Sequence, residues 1–347
     1  MDDNQMNQTF NNGYALLIGV GESAYPRWSL PVTVKDTQAI KSVLTNPNIC
    51  AYPNSDNNIR LLYDSTATRS AIVNGLGWLK AQAANDPEAT VIVYYSGHGW
   101  LDQSTGQYYL IQHDIEPFDI PNSAFSAQNF TEALQQIKSK RLLVLIDCCH
   151  GEGMATAKDD ENIHIKLPQS LMQTFPPESV LDSLKQGEGR AVFTSSRGQQ
   201  KSWILKDNSL SIYTHHLIEA LKGAANRPGD TTVKVSNLMN HLAKCVPETA
   251  QAMYKVEQKP FFDTVTEDFA VSLLLGGKGI SVDGEGATED KVTAVPNQGV
   301  NVSGSRSNTA GRDINDSIIT SGDDNSVQKG NHNVIIKKAR DVSFGKN

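Results

Sequence analysis

Short, uninterrupted apolar runs recur along the first three quarters of the chain. Tyr14–Val20 (YALLIGV), Ile59–Tyr63, Val91–Tyr95 (VIVYY), Leu142–Ile146 (LLVLI), Ala191–Thr194 and Phe269–Leu275 each read as a strand, VIVYY and LLVLI most clearly so. Runs without polar alternation suit strands covered on both faces. Between them the apolar spacing turns helical: Ile40, Val43 and Leu44 share one face, as do Ile72, Leu76 and Leu79, and Leu217, Ile218 and Leu221. Ser236 stands where it would cap a helix carrying Leu238, Leu242 and Val246. Strands alternating with helices predict an α/β fold with a mainly parallel sheet and helices on both faces. In such sheets, ligands sit at the carboxyl ends of the strands.

Three stretches depart from this pattern. Residues 1–13 are a polar tail. Glu152–Gly189 is polar, contains Pro168, Pro176 and Pro177, and reads as a long exposed loop within a domain spanning 14–279. From residue 280 the composition shifts to Asn, Ser, Gly and Asp. Within 280–347, Gly322–Val327 echoes Gly330–Ile335 at an offset of eight, among the β-prone runs Val300–Val302, Ser317–Thr320 and Val334–Ile336. The expectation is either a disordered tail or strands that stack on each other or on a partner.

Charge and cysteine usage narrow the function. Lys and Arg total 31 against 38 Asp and Glu, a formal charge of -7. No basic field would gather nucleic-acid phosphates. The four cysteines include the adjacent pair Cys148 and Cys149, poor material for a disulfide framework. The amino terminus has no signal-peptide pattern and no apolar run is long enough to span a membrane. A cytoplasmic protein with reduced thiols, bound neither to membrane nor to nucleic acid, is expected.

Both of the clearest strands end in reactive residues. VIVYY leads into Ser96-Gly97-His98-Gly99, and LLVLI into Asp147-Cys148-Cys149-His150-Gly151. A lone buried Cys is usually a core residue, and a lone His is usually structural. Placed together at strand ends beside glycine, they form a thiol and the base needed to activate it. Zinc is not expected there, because Cys148-Cys149-His150 are contiguous whereas zinc ligands are spaced by two or more residues.

YYSGHG and DCCHG resemble the His and Cys motifs of the caspase-like cysteine peptidases, especially bacterial and metacaspase-type members. ALLIGV with VKDTQAI resembles the family's first strand and helix. TSSRGQQKSW, IYTHHLIEALKGAA, EQKPFF and DFAVSLLL resemble its later segments. The Q-A-C-[RQG]-G signature of the animal enzymes is absent. The resemblance implies a six-stranded caspase-like sheet, with Cys149 as nucleophile and Cys148 turned away from the cleft. It also implies His98 as base and the amides of Gly99 and Cys149 as oxyanion hole. Where Asp-specific caspases carry an Arg after Ser-Trp, this chain has Ser202-Trp203-Ile204. Asp36 and Asp147 match the acids with which metacaspases bind a substrate Arg or Lys. No cofactor is implied. Calcium dependence through Asp159-Asp160-Glu161 is the one metal link the resemblance offers, against the plain reading of a solvated charge run.

By the same analogy the chain would be an endopeptidase acting on protein substrates in bacterial stress, cell death or anti-phage defence. Self-cleavage would fall in 152–189, at Lys158, Lys166, Lys185 or the adjoining Arg190. Residues 280–347 resemble repeat tails of signalling NTPases and their effectors, which implies recruitment to such a partner or self-association. A caspase-like scaffold without activity and a different cysteine hydrolase, such as an amidase, are the competing readings.

Overall fold

The computed structural model describes residues 8–102, 104–148, 180–181, 184, 189–197, 200–264, 267–276, 318–321 and 326–329. It divides into two units, Met1–Ala287 and Thr288–Asn347. Six strands make the central sheet of the first unit: β1 (Gly13–Gly19), β2 (Ile59–Tyr63), β3 (Thr90–Gly97), β7 (Arg141–Cys148), β8 (Arg190–Thr194) and β10 (Phe261–Thr264), in the order β10-β8-β7-β3-β1-β2. All neighbours are parallel except β10 on β8. The order reverses at β1, whose neighbours are β2 and β3, and ligands of such sheets bind outside the carboxyl ends of the strands at that point.

The mainly parallel six-stranded sheet was expected, but its sixth strand is not Phe269–Leu275. That run supplies β11 (Ala270–Leu273), which pairs with β9 (Thr232–Lys234) in a separate two-stranded sheet. The true edge strand, β10, has only two apolar residues followed by Asp263 and Thr264. An edge strand needs little apolar surface, and here Phe262 meets Phe193 of β8 edge-on at 4.8 Å.

Pleating sends alternate residues to two cores. Leu17, Tyr94, Leu145 and Phe193 pack on the face covered by α1 (Val32–Thr45), α5 (Ile212–Leu221) and α6 (Val235–Tyr254). Leu16, Val93, Val144 and Cys148 pack on the other face, under α2 (Arg69–Asn85) and α4 (Ala127–Gln135), beyond the one-turn α3 (Ile120–Ser123). Each large aliphatic side chain buried this way contributes about 1.5–3 kcal/mol.

Helix α6 starts at Val235, so Ser236 is not its cap. The N–H of Lys234 donates to Asn237 Oδ1 (2.8 Å), while Ser236 donates from both its N–H and its hydroxyl to Asp268. A carboxylate distant in sequence thus satisfies the helix start.

Of the 152–189 stretch, Val180, Leu181, Leu184 and Gly189 are described, and the two leucines are buried in the second core. Arg190 opens β8, buried, with its guanidinium donating to the carbonyl of Leu134 at 3.0 Å. It is therefore no exposed cleavage site. Lys158, Lys166, Lys185 and Asp159–Glu161 lie outside the described residues. In the second unit, β12 (Ile318–Ser321) pairs antiparallel with β13 (Ser326–Lys329); the runs at 300–302 and 334–336 lie outside the described residues. No described helix is long and apolar enough to cross a membrane.

Candidate active site

Gly19 ends β1, and a Cβ there would come within 2.6 Å of the Thr33 carbonyl and the Thr37 hydroxyl. Only glycine lets α1 lie this close to the strand. Asp36, on the inner face of α1, therefore reaches the sheet: Ser96 Oγ, at the end of β3, donates to its Oδ2 at 3.3 Å. Ser96 stands in register with Asp147 at the end of β7, and Gly97 with Cys148.

Asp147 projects to the same face as Asp36. Its Oδ1 accepts from the Ser202 hydroxyl at 2.8 Å and its Oδ2 from Ser211 Oγ at 2.5 Å, with Thr214 Oγ1 at 3.4 Å. Ser211 also donates its backbone N–H to Asp36 Oδ1 at 2.9 Å. One serine, the N-cap of α5, thus holds both acids. Both are fully buried, and among the described residues neither forms an ion pair with a Lys, Arg or His. Burial pushes the Asp36 carboxyl well above the usual carboxylate range, and the nearby charge of Asp147 pushes it further; the bonds from Ser211 and Ser96 oppose this.

Cys148 turns the other way. Its sulfur lies in the second core, 3.2 Å from the Tyr108 hydroxyl, and burial pushes the thiol up to about 12. A thiol held protonated in this way is a core residue and not a nucleophile. Cys149 lies outside the described residues.

His98 follows β3 and precedes β4 (Gly99–Leu101), the first strand of a small antiparallel sheet with β5 (Tyr108–Leu110) and β6 (Phe125–Ser126). Its carbonyl is pinned by the Tyr95 hydroxyl at 2.6 Å and the Ile111 N–H at 3.0 Å. Its ring is half-buried, with Nε2 2.9 Å from the carbonyl oxygen of Trp28. A carbonyl can only accept, so Nε2 carries the proton and Nδ1 keeps its lone pair. Burial lowers the imidazole to about 4, opposed by the Trp28 bond. The ladder bond from Ile111 to His98 puts Gly99, opposite Leu110, at a non-hydrogen-bonded position, so its N–H points away from β5.

The structure thus gathers Asp36, Asp147, His98 and Gly99 at the carboxyl edge of neighbouring strands. Sequence reasoning missed the partners that orient them. Ser211 was detectable as a cap, since its Oγ accepts from Thr214 N at 2.9 Å. The Trp28 carbonyl, a backbone group 70 residues from His98, leaves no signal in side-chain chemistry.

No curated protein matches this chain. Among solved structures it is similar to Raptor of Chaetomium thermophilum, with 9% identity and a TM-score of 0.32, over 62% of this chain and 18% of that one. The family model for the caspase domain matches residues 12–271. That match covers well over half of the chain and contains the whole six-stranded sheet, so the chain belongs to the caspase family of cysteine peptidase domains.

Proposed function

We propose that this chain is a cysteine endopeptidase cleaving after Arg or Lys, with Cys149 as nucleophile and His98 as base. Cys149 sulfur attacks the scissile carbonyl carbon while His98 Nδ1 takes the thiol proton. The amide N–H groups of Gly99 and Cys149 hold the developing oxyanion. Collapse breaks the C–N bond, His98 protonates the leaving amine, and a water deprotonated by His98 hydrolyses the thioester. The tautomer fixed by Trp28 supports this role, because it leaves Nδ1 free to accept a proton.

One observation carries the specificity: Asp36 and Asp147 are fully buried and, among the described residues, bonded only to hydroxyl and amide donors. A buried carboxylate pair without a cation favours a ligand that brings one. A substrate guanidinium, with donors in a planar fork, suits two adjacent carboxylates, and an ammonium suits them less fully. Cleavage of matched peptides with Arg, Lys or Asp before the scissile bond tests the reading. For residues 280–347 we propose a recruiting or assembling role, supported by the hairpin of β12 and β13 in the second unit.

A further inference from the structure

A second cluster of reactive side chains lies between α5 and α6. On α5, His215, His216 and Glu219 fall within one turn. On α6, His241, Cys245 and Thr249 recur every four residues and so line one face. Glu219 Oε2 joins the helices, 2.5 Å from His216 Nδ1 and 2.9 Å from His241 Nε2. Cys245 Sγ lies 3.7 Å from His241 Nδ1. His216, His241 and Cys245 each offer one ligand atom, all within 4.8 Å of one another, and His215, His216 and Glu219 do the same.

We propose that His216, His241 and Cys245 form a site for one borderline-soft divalent ion, Zn²⁺, which staples α5 to α6, with Glu219 as the carboxylate that orients the two imidazoles. The donor set is two imidazoles and a thiol, with a fourth position for water, which suits zinc and not calcium or magnesium. Bond lengths of about 2.0–2.3 Å in tetrahedral zinc separate ligand atoms by about 3–4 Å, and the three donor atoms lie within 4.8 Å of one another, so a small closure around the ion completes the site. With the ion on Nδ1 of His241, beside Cys245, the Nε2–H of that ring keeps its bond to Glu219, the usual outer support of a ligating histidine. His216 Nε2 lies 2.7 Å from Thr249 Oγ1. Its Nδ1, 2.5 Å from Glu219 Oε2, is held by the same carboxylate, so Glu219 sets both rings. Cys245 binds as thiolate and releases its proton to solvent. His216 is buried, while Glu219 and His241 keep 26% and 13% of their side-chain surface exposed, so an ion can enter from solvent. The far end of α5 holds Asp36 and Asp147 through Ser211, so the staple would steady the helix on which the acid pair depends.

The test uses full-length Cys149→Ala protein, which removes the catalytic thiol as a competing ligand, kept reduced and stripped of metal. Calorimetric titration with Zn²⁺ should show one equivalent bound and a higher melting temperature. Co²⁺ should give a thiolate charge-transfer band in the near ultraviolet. His241→Ala and Cys245→Ser should each weaken Zn²⁺ binding at least tenfold, and Cys245→Ser should also remove the cobalt band. Absence of stoichiometric binding would overturn the proposal, and so would binding that both variants leave unchanged. If the melting temperature falls in His241→Ala but zinc does not move it in the parent, the cluster is a hydrogen-bond network and the proposal is wrong.

Discussion

The imidazole of His98 is held by the carbonyl oxygen of Trp28, 2.9 Å from Nε2. The carbonyl is fixed in turn because the Trp28 ring is buried with Trp100, Tyr109 and Ile111 and meets Tyr25 edge-on at 5.5 Å. An aromatic side chain far from β3 therefore positions the imidazole proposed as the base. Trp28→Ala should lower kcat by about 10²-fold with little change in KM, as misplacement of a catalytic group does. Trp28→Phe, which keeps a ring in the cluster, should retain most activity. Steady-state kinetics alongside melting curves separates this from general unfolding.

Cys149→Ala should abolish peptide cleavage. His98→Ala should lose about 10²–10⁴ of the rate, the contribution of a positioned acid–base group. Cys148→Ala should instead keep kcat and cost about 1 kcal/mol of stability, because the sulfur is a core atom beside Tyr108. Equal loss of activity in both cysteine variants, each still folded, would mean that the nucleophile is misassigned.

The acid pair should weaken the fold that carries it. Asp36 has a raised carboxyl in the folded state, so the folded chain holds its proton more tightly than the unfolded chain. Its contribution is present below the ordinary carboxylate range and is lost as pH rises through the raised value. Asp36→Asn should therefore melt higher than the parent at pH 8, and the gap should close towards pH 4. Denaturation of both proteins across that range checks the sign.

The central sheet needs nothing beyond Leu275, whose N–H donates to the Ile49 carbonyl at 2.9 Å. Deleting everything after Gly279 should leave folding and basal peptide cleavage intact while removing self-association or partner capture. Light scattering and pull-downs read the second effect; unchanged assembly would remove the proposed role of the tail.

The parts of this protein that were legible in its sequence are those where one local pattern decides. The apolar runs at Tyr14, Val91 and Leu142 read as buried strands, and the motifs at their ends placed His98 and Asp147 at the sheet's carboxyl edge. The edge strand Phe261–Thr264 was not legible, since an edge needs few apolar residues and Asp263 interrupts its pattern. Ser236 was misread as a cap because the local rule cannot see Asp268 arriving from elsewhere. The histidine cluster on α5 and α6 escaped for a similar reason. Its donors come from two helices, so no short ligand spacing marks them.

The central claim is cleavage after a basic residue by a site built on two buried acids. The most direct measurement is kcat/KM for peptides identical except for Arg, Lys or Asp before the scissile bond, with the parent chain and Asp36→Asn, and with Cys149→Ala as blank. Arg and Lys peptides should be cleaved and the Asp peptide spared. Asp36→Asn should lose about 2–5 kcal/mol of transition-state binding on the Arg peptide, the usual cost of removing one partner from a buried charged pair. Efficient cleavage after Asp, or an Arg preference untouched by Asp36→Asn, would contradict the account.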